Sequence, residues 1–371
     1  MALTDSADFT LANLPYGVSR GRAYVAIGDQ ALDLLSAGFG DDFEGPLNRF
    51  LARGTAEWSA VRRGVSELLR DGDAARPHLV ERESLSMDLP VEIGDYVDGY
   101  AGLHHATNLG KILRPGTEPL NPNWRHLPVM YHGRTATIVP SGTAIERPRG
   151  QVKIEDAVEL QPTAQLDIEL ELGAIVGTGN VRGEPISVAD APSHLFGFVL
   201  VNDWSARDIQ AFEYQPLGPF LGKSFATSIS PWIVPAAALE PYLVSGLAAR
   251  QDPEPLDYLR GDQRVPALQF TIELNNERIS EVELAEALYW TPAQQLAHLT
   301  INGAVARPGD LIASGTISGE DHRTQAGSLI ERSWRTSFLA DGCTVTIRGW
   351  AGQGGERVGF GALSGQIASA R

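Results

Sequence analysis

The sequence predicts a mainly β protein with some α-helix, built as a small N-terminal region followed by one large domain. Three observations carry this. A length of 371 residues with 43% hydrophobic content supports a full core and leaves room for a second, smaller unit. The 39 glycines and 23 prolines are scattered without a repeat, which suits strands and turns better than a helical bundle. From Ile93 onward, short strand-like runs alternate with turn signals such as Pro115-Gly116, Ser141-Gly142 and Pro308-Gly309.

Taken in order, Arg20 to Asp29 reads as a hairpin-like stretch. Ala56 to Leu69 reads as a helix, because Trp58, Val61, Val65 and Leu68 recur at helical spacing. A charged segment, Asp71 to Ser84, runs into Leu89-Pro90, and a new pattern starts at Ile93. The boundary between a region 1–90 and a region 91–371 is placed there. Leu166 to Leu172 alternates strictly, so Leu166, Ile168, Leu170 and Leu172 are expected in a core, with Asp167, Glu169 and Glu171 on the opposite face. The acidic, proline-containing patch from Leu239 to Arg260 reads as a surface insertion, a loop without function.

Charge and compartment exclude several classes. The chain has 46 acidic and 30 basic residues, a formal net charge of −16, which repels nucleic-acid backbones and anionic membranes. No apolar run approaches the roughly 18 residues needed to span a bilayer. The single cysteine, Cys343, has no partner for an internal disulfide, and the first thirty residues lack a signal-peptide pattern. These features point to the cytoplasm.

The chemistry-bearing segments are few. Two carboxylates two positions apart on a strand sit roughly 6.5–7 Å apart at the backbone, so Glu169 and Glu171 can converge on one cation. Oxygen ligands favour Mg²⁺, Ca²⁺ or Mn²⁺ over zinc. The plain alternative is a solvated strand face. Between Asp98 and Asn108 an acid, a phenol and the imidazoles of His104 and His105 lie close together. Adjacent histidines on a regular element point in different directions, so one of them fits a general base better than the pair fits zinc. The run Pro216 to Ser224 departs from a P-loop, with one residue too few and Pro219, Phe220 and Leu221 where backbone amides must wrap phosphates. Lys223 is either a cation that stabilises an oxyanion or the partner of Asp203 or Asp208 in a structural salt bridge. Ala313 to Gly319 is a small-residue loop, suited to a ligand or to a tight turn. Glu331 is either a solvated acid or the orienting partner of a histidine.

Assembled in order, the stretches IGDYVDGY, HHATNLG, LPVMYHGR, LDIELELG, NDWSARDIQ, EYQPLGPFLGKS and SGTISG resemble the fumarylacetoacetate hydrolase family. The likeness begins at Asn13-Leu14-Pro15-Tyr16-Gly17-Val18 and covers essentially the whole chain. It implies a small SH3-like β-barrel over residues 1–90 and a large catalytic, metal-binding domain over 91–371, a mixed β-sandwich roll, assembled as a homodimer. It also implies hydrolytic cleavage of the carbon–carbon bond of 4-fumarylacetoacetate to fumarate and acetoacetate, the last step of tyrosine and phenylalanine catabolism. A related acylpyruvate or oxo-acid hydrolase or decarboxylase is the alternative within the superfamily, and an inert metal-binding protein is the alternative outside it.

By position, the resemblance assigns a Mg²⁺ or Ca²⁺ site to Asp98, Glu169, Glu171 and Asp203, and a second cation near Asp203, Lys223 and Thr227. It assigns substrate contacts to Tyr100, Arg114, Tyr131, Gln210, Tyr214 and Thr316. The water-activating pair becomes His105 with Glu331, and Arg114, Gln210 and Lys223 become the groups that stabilise an oxyanion. Two positions depart from the family pattern. His104 replaces a glutamine common before the active histidine, and Met130 replaces a glycine before the tyrosine of YHGR. His105 keeps the HATN context and therefore takes the histidine role.

Overall fold

The computed structural model describes residues 5–371. Its centre is a twelve-stranded, mostly antiparallel sheet. In spatial order it runs Leu79–Glu81, Gln30–Asp33, Arg22–Ile27, Tyr16–Ser19, Trp232–Pro235, Leu195–Asp203, Leu170–Val176, Leu311–Ala313, Tyr96–Gly99 and Met130–His132. Thr227–Ile229 branches from Leu195–Asp203 and pairs in parallel with Ile138–Pro140. A second, five-stranded sheet holds Glu277–Glu283, Gln269–Leu274, Thr344–Ala351, Val358–Ala368 and Ile145–Glu146. With the helices that flank them, these large sheets make a mixed α/β fold.

The N-terminal strands do not close into an SH3-like barrel. The first hairpin turns through Arg20 and Gly21, both at positive φ as a two-residue turn of right-handed twist demands, and Tyr16–Ser19 then pairs with Trp232–Pro235. The first four strands are thus the flank of the large sheet. Their core is shared as well: Tyr16, Phe43, Phe50, Val61 and Val65 pack in one cluster with Phe196, Val199, Val201, Ile233 and Leu311. The expected helix runs Thr55–Arg70 and buries Val61 and Val65.

The acidic strand differs from its reading. Leu170–Val176 and Leu195–Asp203 are buried at every position, because both faces of the sheet centre are covered. No solvated face exists there. The ladder also breaks: Leu166–Asp167 pairs with Ser205–Ala206, Leu170 pairs with Asn202, and between them the Glu169 amide donates to the Asn202 side-chain oxygen at 3.0 Å. The break separates Asp167 from the other two acids.

The segment from Leu239 to Arg260 is more than a surface loop. Leu239 and Leu259 are buried in the main apolar cluster, Ala248 is buried as well, and Leu243–Val244 pairs with Val265–Pro266. Gln251 donates to the Tyr289 carbonyl at 2.6 Å, which ties the segment down.

Candidate active site and metal centre

Four strand-borne carboxylates meet at the middle of the large sheet. Asp98 lies in the strand Tyr96–Gly99, Glu171 lies in Leu170–Val176, Glu169 sits at the ladder break, and Asp203 closes Leu195–Asp203. One oxygen from each lies within 4.8 Å of the others, and all four residues are buried. Two of the acids are poorly compensated. Asp98 Oδ1 and Glu171 Oε1 have no hydrogen-bond partner among the described residues. Burial, followed by the charge of Asp203, pushes the Asp98 carboxyl well above its ordinary value. Burial, followed by Asp98 and Glu169, does the same to Glu171. A hard divalent cation fits this set, because it supplies both the missing partners and the missing positive charge.

The metal-free protein is therefore expected to lose stability as pH rises. In the unfolded chain these carboxyls ionise near 3.8 and 4.5, whereas in the fold they keep their protons to higher pH. Above the unfolded values the folded state binds more protons than the unfolded state, so stability falls with pH up to the folded values. Thermal melts in chelator should show this slope, and saturating Mg²⁺ or Ca²⁺ should flatten it. A rise of stability with pH across that window in chelator would contradict the cage.

The other two acids are neutralised by fixed cations. Lys223 Nζ lies 2.6 Å from Asp203 Oδ2 and also contacts Glu169 Oε2. Arg207 Nη1 lies 2.7 Å from Glu169 Oε1. Burial raises the Glu169 carboxyl, but Lys223, Arg207 and His105 outweigh it and bring its pKa to about 2. Burial opposes the Lys223 charge too, yet Asp203 and Glu169 hold its pKa above the ordinary value. As an ammonium, Lys223 has no lone pair to give a cation, so its side chain serves here as a counter-charge. Thr227 Oγ1 donates to Asp203 Oδ1 at 3.2 Å, and the Tyr131 hydroxyl reaches both Asp98 Oδ2 at 2.8 Å and Asp203 Oδ2 at 3.0 Å.

Beside the cage, the helix Leu103–Leu113 presents His105 and Asn108 on one buried face, three residues apart. His105 Nδ1 lies 2.6 Å from Glu331 Oε2, and its Nε2 faces the cage, 3.8 Å from Glu169 Oε1. Glu331 also accepts from Asn108 at 3.0 Å, Ser318 at 2.9 Å and Ser328 at 2.6 Å. Burial raises the Glu331 carboxyl, but His105 and these hydrogen bonds outweigh it and hold its pKa below the usual value. It stays an acceptor, which fixes the Nδ1–H tautomer and leaves the Nε2 lone pair free. His104 points elsewhere, to the Glu286 carbonyl at 3.2 Å.

Two residues outside the expected set complete the centre. Asp167 accepts from the amides of Leu329 and Ile330 at 2.7 and 3.0 Å, at the start of the one-turn helix that carries Glu331, and from Arg207 Nε at 2.8 Å. It is a brace between the histidine pair and the cage. Arg207 was visible in NDWSARDIQ only as one charge in an acidic run. Its position between Asp167, Glu169 and Gln210 Oε1, at 3.2 Å from the last, appears only when the ladder is folded. Among the remaining expected contacts, the Tyr100 ring packs edge-on against His105 with centroids 5.6 Å apart. Thr316 Oγ1 is buried and has no hydrogen-bond partner among the described residues. Arg114 donates to the Pro119 carbonyl at 2.6 Å, and the Tyr214 hydroxyl accepts from Gln215.

A buried carboxylate cage beside an acid-oriented histidine joins the geometry to the sequence likeness. The family model for the C-terminal part of fumarylacetoacetate hydrolases matches residues 96–368, and that for the fumarylacetoacetase N-terminal part matches residues 12–90. The chain belongs to the fumarylacetoacetate hydrolase family. Relatives within this family include the fumarylacetoacetases of Bos taurus and Homo sapiens, each 42% identical over 98% of this chain and 97% of the relative. That of Arabidopsis thaliana is 43% identical over 97% and 95%. Among solved structures, a fumarylacetoacetate hydrolase from psychrophilic Exiguobacterium antarcticum shares the fold, with a TM-score of 0.61 at 18% identity over 97% of this chain and 99% of that one.

Proposed function

We propose that this protein hydrolyses 4-fumarylacetoacetate to fumarate and acetoacetate, the reaction for which its full-length relatives are named. The observation that carries the reading is the His105–Glu331 pair, with the free imidazole nitrogen turned toward four buried carboxylates.

In this reading Asp98, Glu169, Glu171 and Asp203 hold a divalent cation, Mg²⁺ or Ca²⁺. When bound, it supplies Lewis-acid polarisation of the diketone oxygens and charge stabilisation for the departing enolate. His105 Nε2 takes a proton from water while Glu331 stabilises the imidazolium through Nδ1–H. The hydroxide adds to the carbonyl next to the fumaryl group. Lys223 and the amide of Gln210 are the donors for the oxyanion, and Arg207 fixes that amide by occupying its oxygen. The bond to the acetoacetate half then breaks with its electron pair on the acetoacetate carbon, and His105 returns its proton there. One water is consumed. Tyr100, Tyr131, Tyr214, Thr316 and Arg114 are assigned to substrate binding, and the unpartnered hydroxyl of Thr316 supports its share of that role.

We further assign residues 1–90 to an N-terminal unit and 91–371 to the catalytic unit, in a cytoplasmic homodimer. No helix among the described residues is long and apolar enough to cross a membrane. The test is loss of the substrate's ultraviolet absorbance on addition of purified protein, abolished by chelator and restored by Mg²⁺ or Ca²⁺. Absence of turnover by metal-replete protein would reject the named substrate and shift the reading to a related oxo acid.

A further inference from the structure

The cage borders a cavity on its Asp203 side. This cavity measures about 440 Å³, with Tyr131, Asp203, Lys223 and Thr227 on its inner wall and Arg134 and Phe220 on its outer wall. Neither His105 nor Arg114 lines this space. The two cations nearest the cage, Lys223 and Arg207, are already committed to carboxylates. Arg134 is exposed at the cavity wall and has no hydrogen bond or ion pair among the described residues. An unpaired guanidinium carried on the wall of a cavity is suited to bidentate capture of a carboxylate.

The loop that carries it is anchored upstream to the strand that bears Asp98 and downstream to the strand that bears Thr227, the hydroxyl donor to Asp203. Upstream, Met130–His132 pairs with Tyr96–Gly99, with Tyr131 opposite Asp98, and the Gly133 amide donates to the Tyr96 carbonyl at 2.9 Å. Position 133 must be glycine, since a Cβ there would lie 2.1 Å from the Tyr96 ring. Downstream, Thr137 Oγ1 donates to the Ser224 carbonyl at 2.7 Å and Ile138 pairs with Thr227. Arg134 therefore stands on a fixed arch over the cavity.

We propose that Arg134 binds the terminal carboxylate of the acetoacetate half of the substrate and so sets which end of the molecule faces His105. The inference rests on the hydrolase reading above. The substrate carries a carboxylate at each end, and the carbonyl that is attacked adjoins the fumaryl group. That half must lie on the His105 side, so the acetoacetate half extends into the cavity, toward Arg134. Arg114, which lies off this cavity, is left for the fumaryl end.

The test compares 4-fumarylacetoacetate with fumarylacetone, which lacks the acetoacetate carboxylate. Wild-type protein should lose about ten- to a hundredfold in kcat/KM between the two, the size of one charge-assisted contact. Arg134→Ala should show that same loss on the diacid, mainly as a higher KM, and no further loss on fumarylacetone. Arg134→Lys should recover part of it. Equal losses on both substrates, or unchanged kinetics on the diacid in a variant whose wild type turns it over, would overturn the proposal alone. Failure of the wild type on the diacid would overturn the hydrolase reading, and this proposal with it.

Discussion

His105→Ala is expected to lower kcat by about 10²–10⁴-fold, the range for loss of a positioned general base, while divalent-ion affinity stays nearly unchanged. The two readouts separate because the two nitrogens have separate surroundings. Nδ1 is held by Glu331 at 2.6 Å, and Nε2 stands 3.8 Å from the nearest cage oxygen, too far to be part of the cage's own bonding. The substitution leaves Glu331 with Asn108, Ser318 and Ser328 as donors, so its carboxylate remains satisfied in the buried site. Steady-state kinetics and calorimetric metal titration measure the two effects. Retained activity would remove the histidine from the chemistry.

Glu169→Ala is expected to fail in a different way, losing metal affinity, turnover and stability together. Glu169 is the one cage carboxylate that touches both Lys223 and Arg207, and it is the acid those cations hold down to about 2. Breaking a buried ion pair from one side typically costs about 3–5 kcal/mol. Each cation keeps a second carboxylate, Asp203 for Lys223 and Asp167 for Arg207, so the expected loss lies near the lower end of that range. Urea unfolding in chelator isolates this effect from metal binding. A variant as stable as the parent in chelator would show that the cation–carboxylate network is not holding the cage.

The parts of the molecule legible in the sequence are those fixed by local pattern. The strand Arg22–Ile27, which with its two flanking turns fills the stretch read as hairpin-like, and the helix Thr55–Arg70 follow from turn chemistry and apolar spacing within a few residues. The convergence of Glu169 and Glu171 was also legible, because side chains two apart on an extended chain share a face. Asp167 was grouped with them for the same reason and belongs elsewhere. Strict alternation hid the ladder break at Glu169, which depends on an Asn202 side chain more than thirty residues away. Alternation also suggested a wet face, whereas both sides of the central strands are covered by the rest of the fold. Glu331 could not be assigned from composition, since its partner His105 lies 226 positions away and the contact exists only through tertiary packing. The barrel expected over residues 1–90 fails for a related reason. The hydrogen bonds of Tyr16–Ser19 that would close it are given instead to Trp232–Pro235.

A histidine-activated water that attacks the fumaryl carbonyl of a dianionic diketo acid leaves its oxygen in the fumarate product. Running the hydrolysis in ¹⁸O-labelled water and analysing both products tests this attack most directly. One labelled oxygen is expected in fumarate and no carboxylate label in acetoacetate. Label in the acetoacetate carboxylate, or cleavage without label in fumarate, would contradict it.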